Sequence, residues 1–142
     1  MKIKILLVDD EEQFVETLAE RLAIRGFDVS TALSGDAAVA RAREQDVDVV
    51  ILDVLMPGKD GIETLVEIKA IRPLTEVIML SGNATVETAI QGMKLGAYDY
   101  LMKPTETREL VVKIANAYKY KAAHEERIRQ AEIDRLIKSG SE

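Results

Sequence analysis

The chain has 142 residues, 47% of them hydrophobic and 31% charged, a balance ordinary for one globular domain with a sizeable core. A formal net charge of -6 disfavours non-specific binding to nucleic acid or to an acidic membrane surface. No cysteine is present, which excludes disulfides, thiol catalysis and Cys-ligated zinc.

The first apolar run, Ile5 to Val8, stops at Asp9-Asp10-Glu11-Glu12. It is too short for a signal peptide or a bilayer span, so a cytoplasmic protein is expected. A helix follows, with Phe14, Leu18 and Leu22 on one stripe, acids in its first turn and Gly26 as its stop. Asp28 to Ala32 reads as a short strand. Ser34 is an N-cap signal for an alanine-rich helix running to about Glu44. Val49-Val50-Ile51-Leu52 is an unbroken apolar run, the mark of a strand covered on both faces, and it ends in Asp53. A loop from Val54 to about Gly61 contains Pro57 and Gly58. A third helix carries Ile62, Leu65, Val66 and Ile68 and closes before Pro73. Val77 to Leu80 is a strand running into Ser81-Gly82-Asn83. Thr85 caps a helix with Val86, Ala89, Ile90 and Met93, stopped by Gly96. Tyr98 to Met102 is a fifth strand ending at Lys103-Pro104, and Thr105 or Thr107 opens the last helix.

Strand and helix alternate five times over connections that suit right-handed crossovers. The expected fold is α/β: a flavodoxin-like, doubly wound, five-stranded parallel sheet of order 2-1-3-4-5 with helices on both faces. Ligand chemistry on such sheets is built at the carboxyl edge of the strands. There Asp9, Asp10, Asp53, Ser81 and Lys103 meet. Three carboxylates at ~4 Å and an effective dielectric of ~20 repel by about 4 kcal/mol per pair, so the cluster must take up protons or a cation. Mg²⁺, a hard ion that prefers oxygen ligands, is the natural occupant. Acid, metal, lysine and hydroxyl together suit phosphoryl transfer onto a carboxylate, with Asp53 as the nucleophile.

Asp9-Asp10, the run Leu52-Asp53-Val54-Leu55-Met56-Pro57-Gly58-Lys59-Asp60-Gly61, Ser81-Gly82, Tyr100 and Lys103-Pro104 together resemble the receiver domain of bacterial two-component response regulators, including the chemotaxis receivers, over about residues 3 to 120. The resemblance implies that Asp53 accepts a phosphoryl group from a sensor histidine kinase or phosphotransfer protein. It implies Mg²⁺ held by Asp10 directly, by Asp9 mainly through water, by Asp53 and by the backbone carbonyl of Leu55. Ser81 and Lys103 would bind the phosphoryl group and Tyr100 would be the aromatic switch. Gly82, Asn83 and Pro104 are auxiliary: Leu55 and Asn83 flank the site and bear on dephosphorylation, and the Lys103-Pro104 bond would be cis. The implied protein is a phosphorylation-activated switch with slow self-dephosphorylation rather than a turnover enzyme. Its partners would be the kinase and a downstream protein or output domain, engaged at the face of the fourth helix, fifth strand and fifth helix.

Two other functions fit the fold less well. A flavin or nucleotide binder needs a phosphate-cradling loop after the first strand, where this chain has four acids. An aspartate-nucleophile phosphatase places a second aspartate two residues after the first, where this chain has Leu55. From Tyr120 onward the chain becomes highly charged, so residues 1–120 are expected to form the receiver and 121–142 a charged helical extension or linker. Ile128, Ile133, Leu136 and Ile137 hold no clean heptad, which leaves open a solvated extension, a signalling linker or a homodimer contact. His124 is expected to face solvent. No direct nucleic-acid or membrane contact is expected of this chain.

Overall fold

The structure is a computed structural model that describes residues 2–82 and 85–140. In chain order it comprises β1 (Lys4–Val8), α1 (Glu12–Ile24), β2 (Asp28–Ala32), α2 (Gly35–Glu44), β3 (Val49–Leu52), α3 (Gly61–Ile71), β4 (Glu76–Ser81), α4 (Val86–Lys94), β5 (Asp99–Met102) and α5 (Thr107–Gly140). The five strands are parallel in the order β2-β1-β3-β4-β5, as expected from the alternation of apolar runs and amphipathic segments.

The apolar runs are continuous because both faces of the sheet are covered. Successive side chains of a strand point to opposite faces. Leu6, Val8, Val50, Leu52, Val77 and Met79 meet Ala38, Val39 and Ala42 of α2 and Leu65 and Ile68 of α3. Ile5, Leu7, Val49, Ile51, Ile78 and Leu80 meet Val15, Leu18 and Leu22 of α1 and Leu110, Ile114 and Ala117 of α5. On α1 the buried stripe is Val15, Leu18 and Leu22. Phe14, expected on that stripe, lies one position off it and is only partly buried, turned toward the carboxyl edge of the sheet.

The caps follow local chemistry. Ser34 accepts from the Ala37 N–H, Asp60 from the Glu63 N–H, and Thr85 forms a reciprocal capping box with Thr88. Gly26, at φ +94°, takes the left-handed turn after α1 at no side-chain cost. Two boundaries differ from the sequence reading, and a third, the start of α5, falls on one of the two residues expected. β4 begins at Glu76 and reaches Ser81, because the ladder continues past the apolar run. β5 begins at Asp99; Tyr98 instead donates its N–H to the Val77 carbonyl. α5 opens at Thr107.

α5 is one helix from Thr107 to Gly140. Its first half lies on the sheet. At the amino edge of the sheet Lys121 pairs with Asp48 at 3.1 Å and with Glu125 at 3.3 Å, and Asp48 also accepts the Lys4 N–H. The Tyr98 and Tyr120 rings stand 5.7 Å apart beside this pairing. Beyond it, residues 127–140 are exposed throughout. No helix among the described residues is long and apolar enough to cross a membrane.

Candidate functional site

The sheet ladder itself builds the site. Val8 pairs with Leu52, Leu52 with Met79, and Ser81 with Met102, so the residues that follow emerge side by side. The backbone bonds run on past the strands. Asp53 donates its N–H to the Val8 carbonyl, Asp9 donates to Ala32, and Lys103 donates to Ser81. Asp9, Asp53 and Ser81 are buried, whereas Asp10 is exposed.

Carboxylate oxygens of Asp9, Asp10 and Asp53 all lie within 4.8 Å of one another. Asp9 is heavily engaged: one oxygen accepts the Glu11 N–H at 3.0 Å and the other accepts the Lys103 ammonium at 2.6 Å. Burial first, and then the Asp9 charge, push the Asp53 carboxyl above its ordinary range. Lys103, the Ser81 hydroxyl and the Val54 N–H oppose that rise without cancelling it. For Lys103 burial works against the charged form, but the hydrogen bond and charge of Asp9, with Asp53 and Glu11 behind them, leave its pKa raised. The Asp53 carboxylate therefore sits in a negative field that a hard cation would relieve, whereas the Lys103 ammonium is already stabilised by that field. The donor set, three convergent carboxylates with a buried member, fits Mg²⁺.

The loop after Asp53 is fixed from below. Gly61 donates its N–H to the Val54 carbonyl at 2.8 Å. A Cβ at Gly61 would fall 2.1 Å from the Asp53 carbonyl oxygen and 2.6 Å from the Val54 Cα, which no side chain survives without moving the loop. The Asp60 N-cap and Gly61 thus seat the first turn of α3 directly against the backbone that carries Asp53. Gly82 leaves room for the Lys103 stem; a Cβ there would be in ordinary contact with it at 3.9 Å.

Tyr100 is half-buried on β5, and its hydroxyl lies 3.2 Å from the Thr88 Oγ1 in the capping box of α4. The Lys103-Pro104 bond is cis. Asn83 lies outside the described residues, and Leu55 is exposed beside the site.

The chain matches the model of the response regulator receiver domain over residues 5–115. It belongs to the response-regulator receiver domains. The transcriptional regulatory protein CpxR of Klebsiella pneumoniae is 44% identical over 111 residues, which cover 78% of this chain and 47% of CpxR. The transcriptional regulatory protein ZraR of Salmonella typhimurium is 43% identical over 105 residues, 74% of this chain and 24% of ZraR. This receiver thus spans between a quarter and a half of the length of these curated relatives. Among solved structures, a response regulator receiver domain protein from Clostridium thermocellum superposes with a TM-score of 0.81 at 38% identity, covering 85% of this chain and 98% of that one. A receiver domain is a phosphorylation-activated signalling switch, and the acidic cluster of this one stands at its expected edge.

Two site residues were not legible as such in the sequence. Glu11 is a second carboxylate on Lys103, at 3.5 Å, although its position suggests only a helix-dipole partner. Phe14 carries the Lys103 ammonium 4.1 Å from its ring centroid, although its spacing suggests core.

Proposed function

We propose that Asp53 is the phosphoacceptor of this receiver and that Asp9, Asp10, Asp53 and the Leu55 carbonyl hold Mg²⁺. The observation that carries the reading is the convergence of three carboxylates with one partly buried lysine and one buried hydroxyl at the end of β3. An Asp53 carboxylate oxygen attacks the phosphorus of a phosphohistidine on a sensor kinase or phosphotransfer protein. The new P–O bond forms as the P–N bond breaks, and the imidazole leaves with the electron pair. Asp53 is held for this attack by the Val8 and Gly61 backbone bonds on either side of it. A bound Mg²⁺ would neutralise charge on the transferring oxygens. Lys103 would exchange its Asp9 partner for a phosphoryl oxygen, and the Ser81 hydroxyl would turn from the Asp53 carboxylate to a second one.

Tyr100 is the proposed switch, and its partner-binding face is formed by α4, β5 and α5. Self-dephosphorylation is slow, because Leu55 two residues after the acceptor cannot move a proton. The downstream partner is a separate protein or an output domain, and the chain acts in the cytoplasm. Residues 121–142 are read as an extension beyond a receiver unit of residues 1–120; its described part, residues 121–140, belongs to the second half of α5.

The test is incubation with acetyl phosphate and Mg²⁺ followed by intact mass measurement. One added phosphoryl group is expected, absent without Mg²⁺ and absent in Asp53→Asn. Labelling of Asp53→Asn at the wild-type rate would overturn the assignment.

A further inference from the structure

We infer that Phe14 is a positioning residue for phosphoryl transfer, holding the Lys103 ammonium inside the carboxylate cluster by a cation–π contact. The inference rests on the proposed role of Asp53 and names a residue that this role does not require by itself. The Lys103 Nζ lies 4.1 Å from the Phe14 ring centroid and 2.6 Å from the Asp9 Oδ2. The ammonium is therefore held between an aromatic face and a carboxylate, a placement in which the ring quadrupole adds to the ion pair.

A lysine stem has four rotatable bonds and no preferred direction of its own. Beside Phe14 a cavity of about 200 Å³ opens between α1 and α5, lined by Leu18, Arg21, Pro104 and Leu110 among others. The Lys103 side chain also lines it, so the stem has an alternative volume to enter. The ring blocks that excursion from one side and rewards the seated position. Phe14 is placed for this because it falls one position off the buried stripe of α1, so its ring is not consumed by the core.

The test replaces Phe14 by suppression with mono-, tri- and pentafluorophenylalanine, which keep the ring's shape while draining its negative face. The rate of labelling from acetyl phosphate is expected to fall progressively across the series, by about three- to tenfold overall. The melting temperature should stay flat. A labelled wild type with no trend across the series would overturn the role of Phe14 and leave Asp53 standing. A wild type that takes no label would instead defeat the reading of Asp53 and with it any role in transfer. A separate arm needs no phosphate donor. The Lys103 ε-methylene protons should resonate upfield from those of the other lysines by ring current, and should return to the common position in Phe14→Leu. Unshifted protons in the wild type would overturn the contact itself.

Discussion

Lys103 is hydrogen-bonded to Asp9, 2.6 Å away, in the unphosphorylated site whose proposed acceptor is Asp53. The lysine is thus a competitor for one of the proposed metal ligands. On its proposed role phosphorylation would move it, leaving behind a buried Asp9 carboxylate. Lys103→Met is expected to bind Mg²⁺ more tightly than the wild type, by about tenfold, since a unit charge at this range is worth a kcal/mol or more. The same variant should label slowly from acetyl phosphate. Calorimetric Mg²⁺ titration of both proteins checks the first effect, and weaker Mg²⁺ binding in the variant would refute the competition.

Asp53 has its carboxyl pushed up, first by burial and then by Asp9. A carboxyl whose folded pKa exceeds its unfolded value of 3.8 contributes its stability below that value. The contribution is lost as pH rises through the folded pKa. At neutral pH without metal, Asp53→Asn should therefore melt higher than the wild type, because it removes a carboxylate that burial and the Asp9 charge both disfavour. Mg²⁺ should stabilise the wild type by about 2.7 kcal/mol at a concentration of 100 Kd and the variant much less. Thermal melts in chelator and in Mg²⁺ measure both. Mg²⁺ affinity should also weaken as pH falls through the raised Asp53 value, because protons then compete for the same oxygens.

Glu76 is buried at the start of β4, far from the acidic cluster, and burial raises its carboxyl above the ordinary value of 4.5 against the pull of Lys69, His124 and Lys121. The sign is the same as for Asp53: stability is greatest below 4.5 and declines as pH rises through the folded pKa. Glu76→Gln should be the more stable protein at pH 7 and should flatten the pH dependence above 4.5. Urea unfolding at half-unit pH intervals checks this; parallel curves for the two proteins would contradict it.

Tyr100 and Thr88 join the proposed switch to the first turn of α4, since Thr88 Oγ1 serves both the Tyr100 hydroxyl and the Thr85 capping box. One hydrogen bond of this kind is worth about 0.5–1.5 kcal/mol, or a two- to tenfold shift between ring positions. Tyr100→Phe removes the bond and leaves the cap intact. It should bind beryllofluoride, a phosphoryl mimic, more tightly by that factor in an NMR titration. Unchanged affinity would separate Tyr100 from the α4 terminus.

α5 should divide at the Lys121 pairing. Backbone amides of its first half, which carries the buried Leu110, Ile114 and Ala117, should exchange slowly with solvent. Amides of residues 127–140, exposed on all sides, should exchange orders of magnitude faster, apart from any gain on raising the concentration. Protection in that half that grows with concentration would support a homodimer contact there; uniform fast exchange supports a solvated extension.

The fold was readable because β1, β3 and β4 are apolar runs that end at polar residues, and those ends supply much of the candidate site. Asp9, Asp53, Ser81 and Lys103 are fixed by the ends of strands, which periodicity locates. Phe14, Glu11 and Thr88 were not readable in their roles, because each acts through a side chain that meets its partner from another element. Phe14 and Lys103 are brought together by the packing of α1 against the β5–α5 turn, and no local pattern records that. The Lys121-Asp48 pair, 73 positions apart, depends on how α5 crosses the sheet. His124, expected to face solvent, is partly exposed and lines an open surface groove with Glu76, Lys69 and Tyr120. Helical spacing alone could not show it, since that wall is built from four separate segments.

The grip of Asp48 on Lys121 has a mechanical consequence. The free end of α5 projects about 28 Å past it at 1.5 Å per residue, with residues 127–140 exposed throughout, a beam clamped at one end. A tilt of about 10° at the clamp would carry the free tip through about 5 Å, so a sub-ångström adjustment at the root is magnified severalfold along the beam. The site lies at the carboxyl end of the sheet and the tip beyond its amino end, and α5 runs between them.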